Sequence, residues 1–128
     1  MNYHISKPLK DISFDEVVDK VIQCLKDEGF GVLTDIDIKQ TLKNKLDVDF
    51  KSYRILGAGN SPYAYQALQS EDYIGLMLPC NVVVKQELDY IDVAAVDPVA
   101  SMQAVGNQKL EIIALEIRNK LQKVISNL

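Results

Sequence analysis

Six apolar residues near the end of the chain recur at alternating spacings of four and three, which commits this segment to one long amphipathic helix. They are Leu110, Ala114, Ile117, Leu121, Val124 and Leu128. The stripe spans roughly two and a half heptads, so it is long enough to begin a coiled coil. Packing on a sheet is the favoured alternative, because the rest of the chain supplies strands.

A second amphipathic helix is predicted near the start of the chain. Ser13 and Glu16 have the spacing of a capping box, in which a serine side chain accepts from the amide three residues later. One face is apolar, and Gly29 suits the left-handed position after the last turn, with Phe30 folding back on Leu25. The apolar positions are Phe14, Val17, Val18, Val21, Ile22 and Leu25.

Segments rich in β-branched residues lie between these helices and predict strands. The predicted strands cover residues 3–8, 32–36, 53–58, 74–85 and 90–96. Pro79 falls inside the fourth, so a bulge or an unpaired edge is expected there. The fold class that follows is α+β: a two-layer sandwich with a mainly antiparallel sheet and two long helices on one face. The expected order is β-α-β-β-β-β-α with short inserted helices, in a single domain of residues 1–128.

Turn and cap residues place the short inserted helices. Asp37 with Gln40 resembles a second capping box, Ser61-Pro62 supplies a cap and a first-turn proline, and Asp97-Pro98 supplies another. These residues therefore predict helices after the second, third and fifth strands.

The charge balance excludes several classes of partner. The net charge is −4 and basic residues do not cluster, which argues against nucleic acid and anionic membranes as partners. Apolar stretches are broken by charge well before the roughly 20 residues of a membrane helix. The first residues show no basic region followed by an apolar run, so we expect a cytoplasmic protein.

Cysteine and histidine usage gives no metal or cofactor signature. Cys24 and Cys80 are predicted to be free thiols, and the chain has one histidine, His4. The segment 57–62 weakly resembles a phosphate-binding loop, but Pro62 stands where the third glycine would be and lacks an amide proton. We expect no metal and no cofactor, although one small anion at this helix start remains an alternative.

Four polar residues lie in otherwise apolar or turn segments, and they are the candidate site residues. They are Arg54, Asn60, Cys80 and Asn81. Buried polar groups require partners, so these four are predicted to converge on a ligand near the turn at residues 57–61. Cys80 is also the candidate catalytic residue, with Arg54 lowering the pKa of its thiol. For Arg54 a structural ion pair is the favoured alternative.

The same segments resemble the family called domain of unknown function 302. The resemblance covers nearly the whole chain and rests on residues 53–62, Ala64, Ala67-Leu68, 74–84, Gly29-Phe30, Ile36-Asp37, Thr41-Leu42-Lys43, Asp97-Pro98 and Val105-Gly106-Asn107. It implies a two-layer fold of the TT1751-like kind, related to the TATA-binding-protein fold, and a homodimer. It implies no activity. The family pattern usually has cysteine where this chain has Gly59, so Cys80 stands alone.

Three hypotheses of function follow. The first is a homodimeric binding domain for a small polar or anionic molecule. The second is a redox or transferase-type enzyme that depends on Cys80. The third is an assembly protein without a ligand, in which the shared residues only build the turn, the bulge and a dimer interface. One fold hosts unrelated functions, so the fold does not choose among them.

Overall fold

The computed structural model of the chain describes residues 2–128. The described residues form five strands and five α-helices. In chain order these are β1 (His4–Leu9), α1 (Phe14–Asp27), β2 (Gly31–Asp37), α2 (Ile38–Leu46), β3 (Tyr53–Gly59), α3 (Ser61–Ser70), β4 (Cys80–Gln86), β5 (Ile91–Val96), α4 (Pro98–Met102) and α5 (Gln108–Ser126). Two 3₁₀ segments, Asp72–Met77 and Gln103–Val105, follow α3 and α4. The predicted α+β class and element order are confirmed.

The five strands form one antiparallel sheet in the order β1-β5-β4-β3-β2. The first strand of the chain therefore pairs with the last, and β1 and β2 are the sheet edges. The register places Ile36, Ile55 and Val83 in one row across neighbouring strands, and the row continues through Ala94 to Ser6. Because side chains alternate along a strand, the side chains of this row lie on one face of the sheet, together with those of residues two positions away on each strand.

The opposite face of the sheet is covered by α1 and α5, which also contact each other. Along β4, Cys80, Val82 and Val84 are buried, and along β5 so are Ile91, Val93 and Ala95. The predicted apolar stripe of α5 is buried at every position, from Leu110 to Leu128. The stripe thus packs on the sheet and not in a coiled coil. We call the uncovered side of the sheet, which carries Ile55, Val83 and Ala94, the open face.

The helix ends form as their sequences indicate. The Ser13 hydroxyl accepts from the Glu16 amide at 3.2 Å, and the Asp37 carboxylate accepts from the Gln40 amide at 2.9 Å. Gly29 has a φ of +85°, and the Phe30 amide donates to the Leu25 carbonyl at 2.9 Å. This αL ending turns the chain from α1 directly into β2.

The strand predicted over residues 74–85 is only half correct. Residues Asp72–Met77 continue from α3 as a 3₁₀ segment, in which the Ile74 amide donates to the Glu71 carbonyl at 3.1 Å. β4 begins at Cys80, paired with Ala58, so Pro79 precedes the strand and does not interrupt it. Proline has no amide proton to donate to the ladder, which is why pairing starts after it. The sheet irregularity instead lies in β2, between Val32 and Thr34.

Candidate functional site

A cavity of about 260 Å³ lies where β3 passes into α3, beside the start of β4. Its wall is almost entirely apolar, with one amide side chain, one thiol and the backbone of two glycines. The lining residues are Phe30, Leu33, Ala58, Gly59, Asn60, Ala64, Ala67, Leu68, Gly75, Leu78, Pro79, Cys80 and Ile117.

Small side chains create this space. Ala64 and Ala67 lie one turn apart on α3, and Leu68 follows on the same side. At the end of β3, Gly59 contributes no side chain, and Gly75 contributes none from the 3₁₀ segment. A Cβ added at Gly75 would meet no atom within 4 Å, whereas one at Gly59 would lie 2.6 Å from Cδ1 of Leu33. Leu33 therefore lies over Gly59 and covers one side of the cavity.

Asn60 is the only buried polar residue within residues 2–128, with 9% of its surface exposed. Its Nδ2 donates to the Glu28 carbonyl at 3.5 Å, at the end of α1. The Asn60 side chain thus links the end of α1 to the cavity wall. Asn60 also occupies the N-cap position of α3, where its side chain makes no capping bond. From the sequence, Ser61 was predicted to be the N-cap of this helix, but Ser61 is the first helical residue of α3.

Cys80 lines the cavity from β4 and is buried. Burial raises the pKa of its thiol to about 11, and no neighbouring charge opposes this effect. At neutral pH the thiol is therefore protonated, and the thiolate that attacks electrophiles is scarce. The expected lowering of this pKa by Arg54 is not observed, because Arg54 lies elsewhere.

Alkylation of the folded protein should therefore label Cys24 before Cys80. Cys24 is half-buried on α1, and burial raises its thiol pKa as well, but solvent reaches it. With iodoacetamide at pH 7.5, we expect Cys80 to react at least tenfold more slowly than Cys24 and to become equally reactive in urea. Peptide mass spectrometry measures both rates, with Cys24→Ser as the control that isolates Cys80. If Cys80 were labelled at a higher rate than a thiol of an unfolded chain, the hypothesis of an enzyme that depends on Cys80 would be supported instead.

Arg54 forms a bidentate ion pair with Asp35 across β2 and β3. Its Nε donates to Oδ1 of Asp35 at 2.7 Å, and its Nη2 donates to Oδ2. The hydrogen bonds from Arg54 hold the pKa of the Asp35 carboxyl below its usual value, and those to Asp35 raise the pKa of the guanidinium. Arg54 is thus satisfied within the protein, in agreement with the alternative of a structural pair.

The Asp35–Arg54 pair should contribute stability that is lost in acid. The folded-state pKa of Asp35 lies below its unfolded value of about 3.9, so the pair stabilises the folded state above that pH. The contribution disappears as the pH falls through the folded-state pKa. We expect Asp35→Asn to lower the free energy of unfolding by about 0.5–1 kcal/mol at pH 7, because both side chains are partly exposed. Urea titrations at pH 7 and pH 3 test this, and an equal difference at both would contradict it.

Asn81 does not reach the cavity. It pairs with Gly57 in the β3–β4 ladder, one residue beyond the Ala58–Cys80 pair, so its side chain leaves the sheet on the open face. There it lines a wider groove of about 580 Å³ together with Lys85, Asp92 and Tyr53. The predicted convergence of four residues is therefore wrong. Asn60 and Cys80 meet at one cavity. Asn81 lies on the other face of the sheet because side chains alternate along β4, and Arg54 lies farther along β3, beside Asp35.

Sequence reasoning overlooked most of the cavity wall. Leu33, Ala64, Ala67 and Gly75 carry no reactive group, so no chemical motif singles them out. The available signal was steric: a succession of glycine and alanine at the β3–α3 junction leaves volume that large residues would have filled.

The described residues show no metal centre and no spanning helix. Within residues 2–128, no three histidine, cysteine, aspartate or glutamate side chains lie together in a way that could hold a metal ion. No helix in the same range has the length and apolar character that crossing a membrane requires.

Comparison with known proteins agrees with the predicted family. Among curated proteins none is significantly similar to the chain. The fold is similar to the crystal structure of an uncharacterized conserved DUF302 protein from Bacillus stearothermophilus. That comparison has a TM-score of 0.91 and 26% sequence identity, and covers 98% of each chain. Residues 5–128 match the family described as "Domain of unknown function DUF302". Since this match spans nearly the whole sequence, the chain belongs to the DUF302 family.

Proposed function

We propose that this protein is a binding domain for a small, mainly apolar molecule that carries one hydrogen-bonding group. The observation that supports this is the cavity at the β3–α3 junction, whose apolar wall contains the only buried polar residue of the described chain, Asn60. Binding pockets commonly combine an apolar wall with a few placed polar groups. The wall favours an apolar body for the ligand, and the Asn60 amide favours one polar end.

The proposed ligand differs in chemical class from the small polar or anionic molecule predicted from the sequence. No lysine, arginine or histidine lines the cavity, so no cationic side chain there compensates the desolvation of an anion. Arg54 is the only cation among the four candidate site residues predicted from the sequence, and it is paired with Asp35 away from the cavity. A neutral ligand therefore fits better than an anionic one. The volume lies just below the roughly 300–1,000 Å³ of pockets for drug-sized molecules, which indicates a smaller ligand.

Filling the cavity should weaken ligand binding without unfolding the protein. The probe is indole, which has an apolar body and one N–H, titrated into ¹⁵N-labelled protein. We expect the amides of Asn60, Ala64 and Cys80 to shift, and Ala64→Leu to weaken binding at least tenfold, since the added side chain occupies the ligand's volume. Gly75→Leu adds volume from the 3₁₀ segment and should act similarly.

The matched control is Gln66→Leu, which adds the same side chain to α3 outside the cavity and should bind indole like the wild type. Protein purified directly from cells can be analysed in parallel by native mass spectrometry for a retained small molecule. Indole shifts at distant residues, or equal binding by Ala64→Leu and Gln66→Leu, would contradict the proposal. The assembly role without a ligand would then be the better hypothesis.

We further propose that the protein is a homodimer in the cytoplasm and that the open face is the dimer interface. Ile55, Val83, Ala94 and Val96 are only partly covered there, although sheets usually bury apolar faces. A second copy would cover them. Light scattering of the purified protein measures the mass, and Val83→Glu should convert a dimer to a monomer. A wild-type monomer at micromolar concentration would contradict this proposal.

A further inference from the structure

The side-chain amide of Asn60 is held in one orientation by the end of α1. Nδ2 of Asn60 donates to the backbone carbonyl of Glu28, the C-cap of α1, and a carbonyl oxygen can only accept. A Cβ added at the next residue, Gly29, would lie 3.4 Å from the same Nδ2, so the nitrogen side of the amide faces this turn. The reversed amide would place two oxygen atoms against each other. Oδ1 therefore lies on the side of the amide that is turned away from Glu28.

The Oδ1 atom of Asn60 is without a hydrogen-bond donor. Within residues 2–128 it accepts no hydrogen bond, although Asn60 is the N-cap of α3, where such an oxygen usually accepts from an amide of the first turn. Nδ1 of His4 is the only side-chain nitrogen or oxygen of the described residues that is both fully covered and unpartnered, so Oδ1 of Asn60 is not fully covered. Since Asn60 is buried and lines the cavity, the cavity is where this oxygen can be reached.

No other side chain of the cavity wall offers a comparable acceptor. The other lining residues are apolar or glycine, apart from Cys80, whose protonated thiol is only a weak donor and a weak acceptor. A ligand with an acceptor alone would place its polar atom against Oδ1 and would lose the hydrogen bonds that it made in water. A ligand with an O–H or N–H group would satisfy its own polar group and Oδ1 together.

We infer that the cavity selects molecules whose polar group donates a hydrogen bond, such as an alcohol or an aromatic ring with an N–H group, and that Oδ1 of Asn60 accepts it. The inference rests on the proposed binding function and adds the chemical class of the ligand. A capping hydrogen bond from an amide of α3 would occupy the same oxygen, so the missing cap is what leaves Oδ1 for a ligand. Ketones and ethers of the same shape are the molecules that such a site rejects.

The probes are two pairs of molecules that match in size and differ in the donor: indole with benzofuran, and cyclohexanol with cyclohexanone. Each is titrated into ¹³C,¹⁵N-labelled protein and followed by NMR at the amides of Ala64 and Cys80. We expect the donor in each pair to bind about tenfold more tightly, because the other molecule leaves its polar atom and Oδ1 unpaired. The ¹³Cγ resonance of Asn60 should move more with indole than with benzofuran.

Two variants attribute the preference to Asn60. Asn60→Leu has nearly the same shape without the oxygen, and it should bring the affinities of indole and benzofuran to within about twofold of each other. Asn44→Leu is the matched control, because Asn44 is exposed on α2 and does not line the cavity. This control should keep the full preference for the donor.

The outcomes separate this inference from the proposed function. If either pair showed equal affinities or favoured the molecule without a donor, with shifts at Ala64 and Cys80, the inference would be overturned while the binding function stood. If no probe shifted these amides, the proposed function would fail and the inference with it. The wild-type protein alone distinguishes these outcomes, so they do not depend on the folding of Asn60→Leu.

Discussion

Replacing Gly57 by alanine is expected to lower the free energy of unfolding by about 2–3 kcal/mol. Gly57 lies in β3 between Thr34 of β2 and Asn81 of β4. A Cβ at this position would lie 2.2 Å from Oγ1 of Thr34 and 2.7 Å from Cγ of Pro79. The proline ring is rigid and cannot withdraw without a shift of backbone, and the Thr34 hydroxyl can withdraw only by leaving its present rotamer. Urea unfolding monitored by circular dichroism measures the difference.

The matched control for Gly57 is Gly31, which faces Gly59 in the same pair of strands. A Cβ at Gly31 would meet no atom within 4 Å, so Gly31→Ala should change stability by less than about 0.5 kcal/mol. Combining Gly57→Ala with Thr34→Ala removes the shorter of the two contacts and should recover part of the loss. If Gly57→Ala and Gly31→Ala proved equally stable, β2 and Pro79 could not approach Gly57 as closely as described.

Replacing Leu121 by alanine is expected to lower the free energy of unfolding by about 3 kcal/mol. Leu121 is completely buried in α5, within the layer that covers the sheet. The substitution removes apolar contacts and leaves a void that neighbours on β1, β5 and α1 cannot fill without moving. Thermal and urea unfolding should both show the loss.

Ile112 provides the comparison on the same helix, because it is exposed and contributes little to the core. Ile112→Ala should cost less than about 1 kcal/mol. A similar loss for both variants would mean that α5 does not pack on the sheet through the stripe that contains Leu121. It would also weaken the two-layer description as a whole.

Helix boundaries were the most predictable part of this fold. A cap side chain such as Ser13 or Asp37 satisfies backbone amides within three residues, so its effect can be inferred locally. Gly29 and Gly106 likewise end helices through their own positive φ angles. The apolar stripe of α5 was equally clear, because five of its positions repeat along the helix and the sixth, Leu128, follows two residues after the helix ends.

The candidate site was less predictable because it depends on residues far apart in sequence. Asn60 and Cys80 meet only because β3 and β4 pair with Ala58 opposite Cys80. A shift of one residue would have placed Asn81 at the cavity in place of Cys80. Arg54 was identified correctly as needing a partner, but sequence alone does not reveal that β2 brings Asp35 to it. Polar residues in apolar segments thus indicated where partners are needed, not whether a ligand supplies them.

The order of strands in the sheet affects how the chain can fold during synthesis. β1 has a single strand neighbour, β5, which begins at Ile91. At typical translation rates β1 leaves the ribosome on the order of ten seconds before its partner exists. Lys7 of β1 also donates to the Leu128 carbonyl at 2.7 Å, so this strand gains a further contact only after residue 128 has been made. Strands β2 to β4 can assemble earlier as neighbours in sequence, and β1 completes the sheet last.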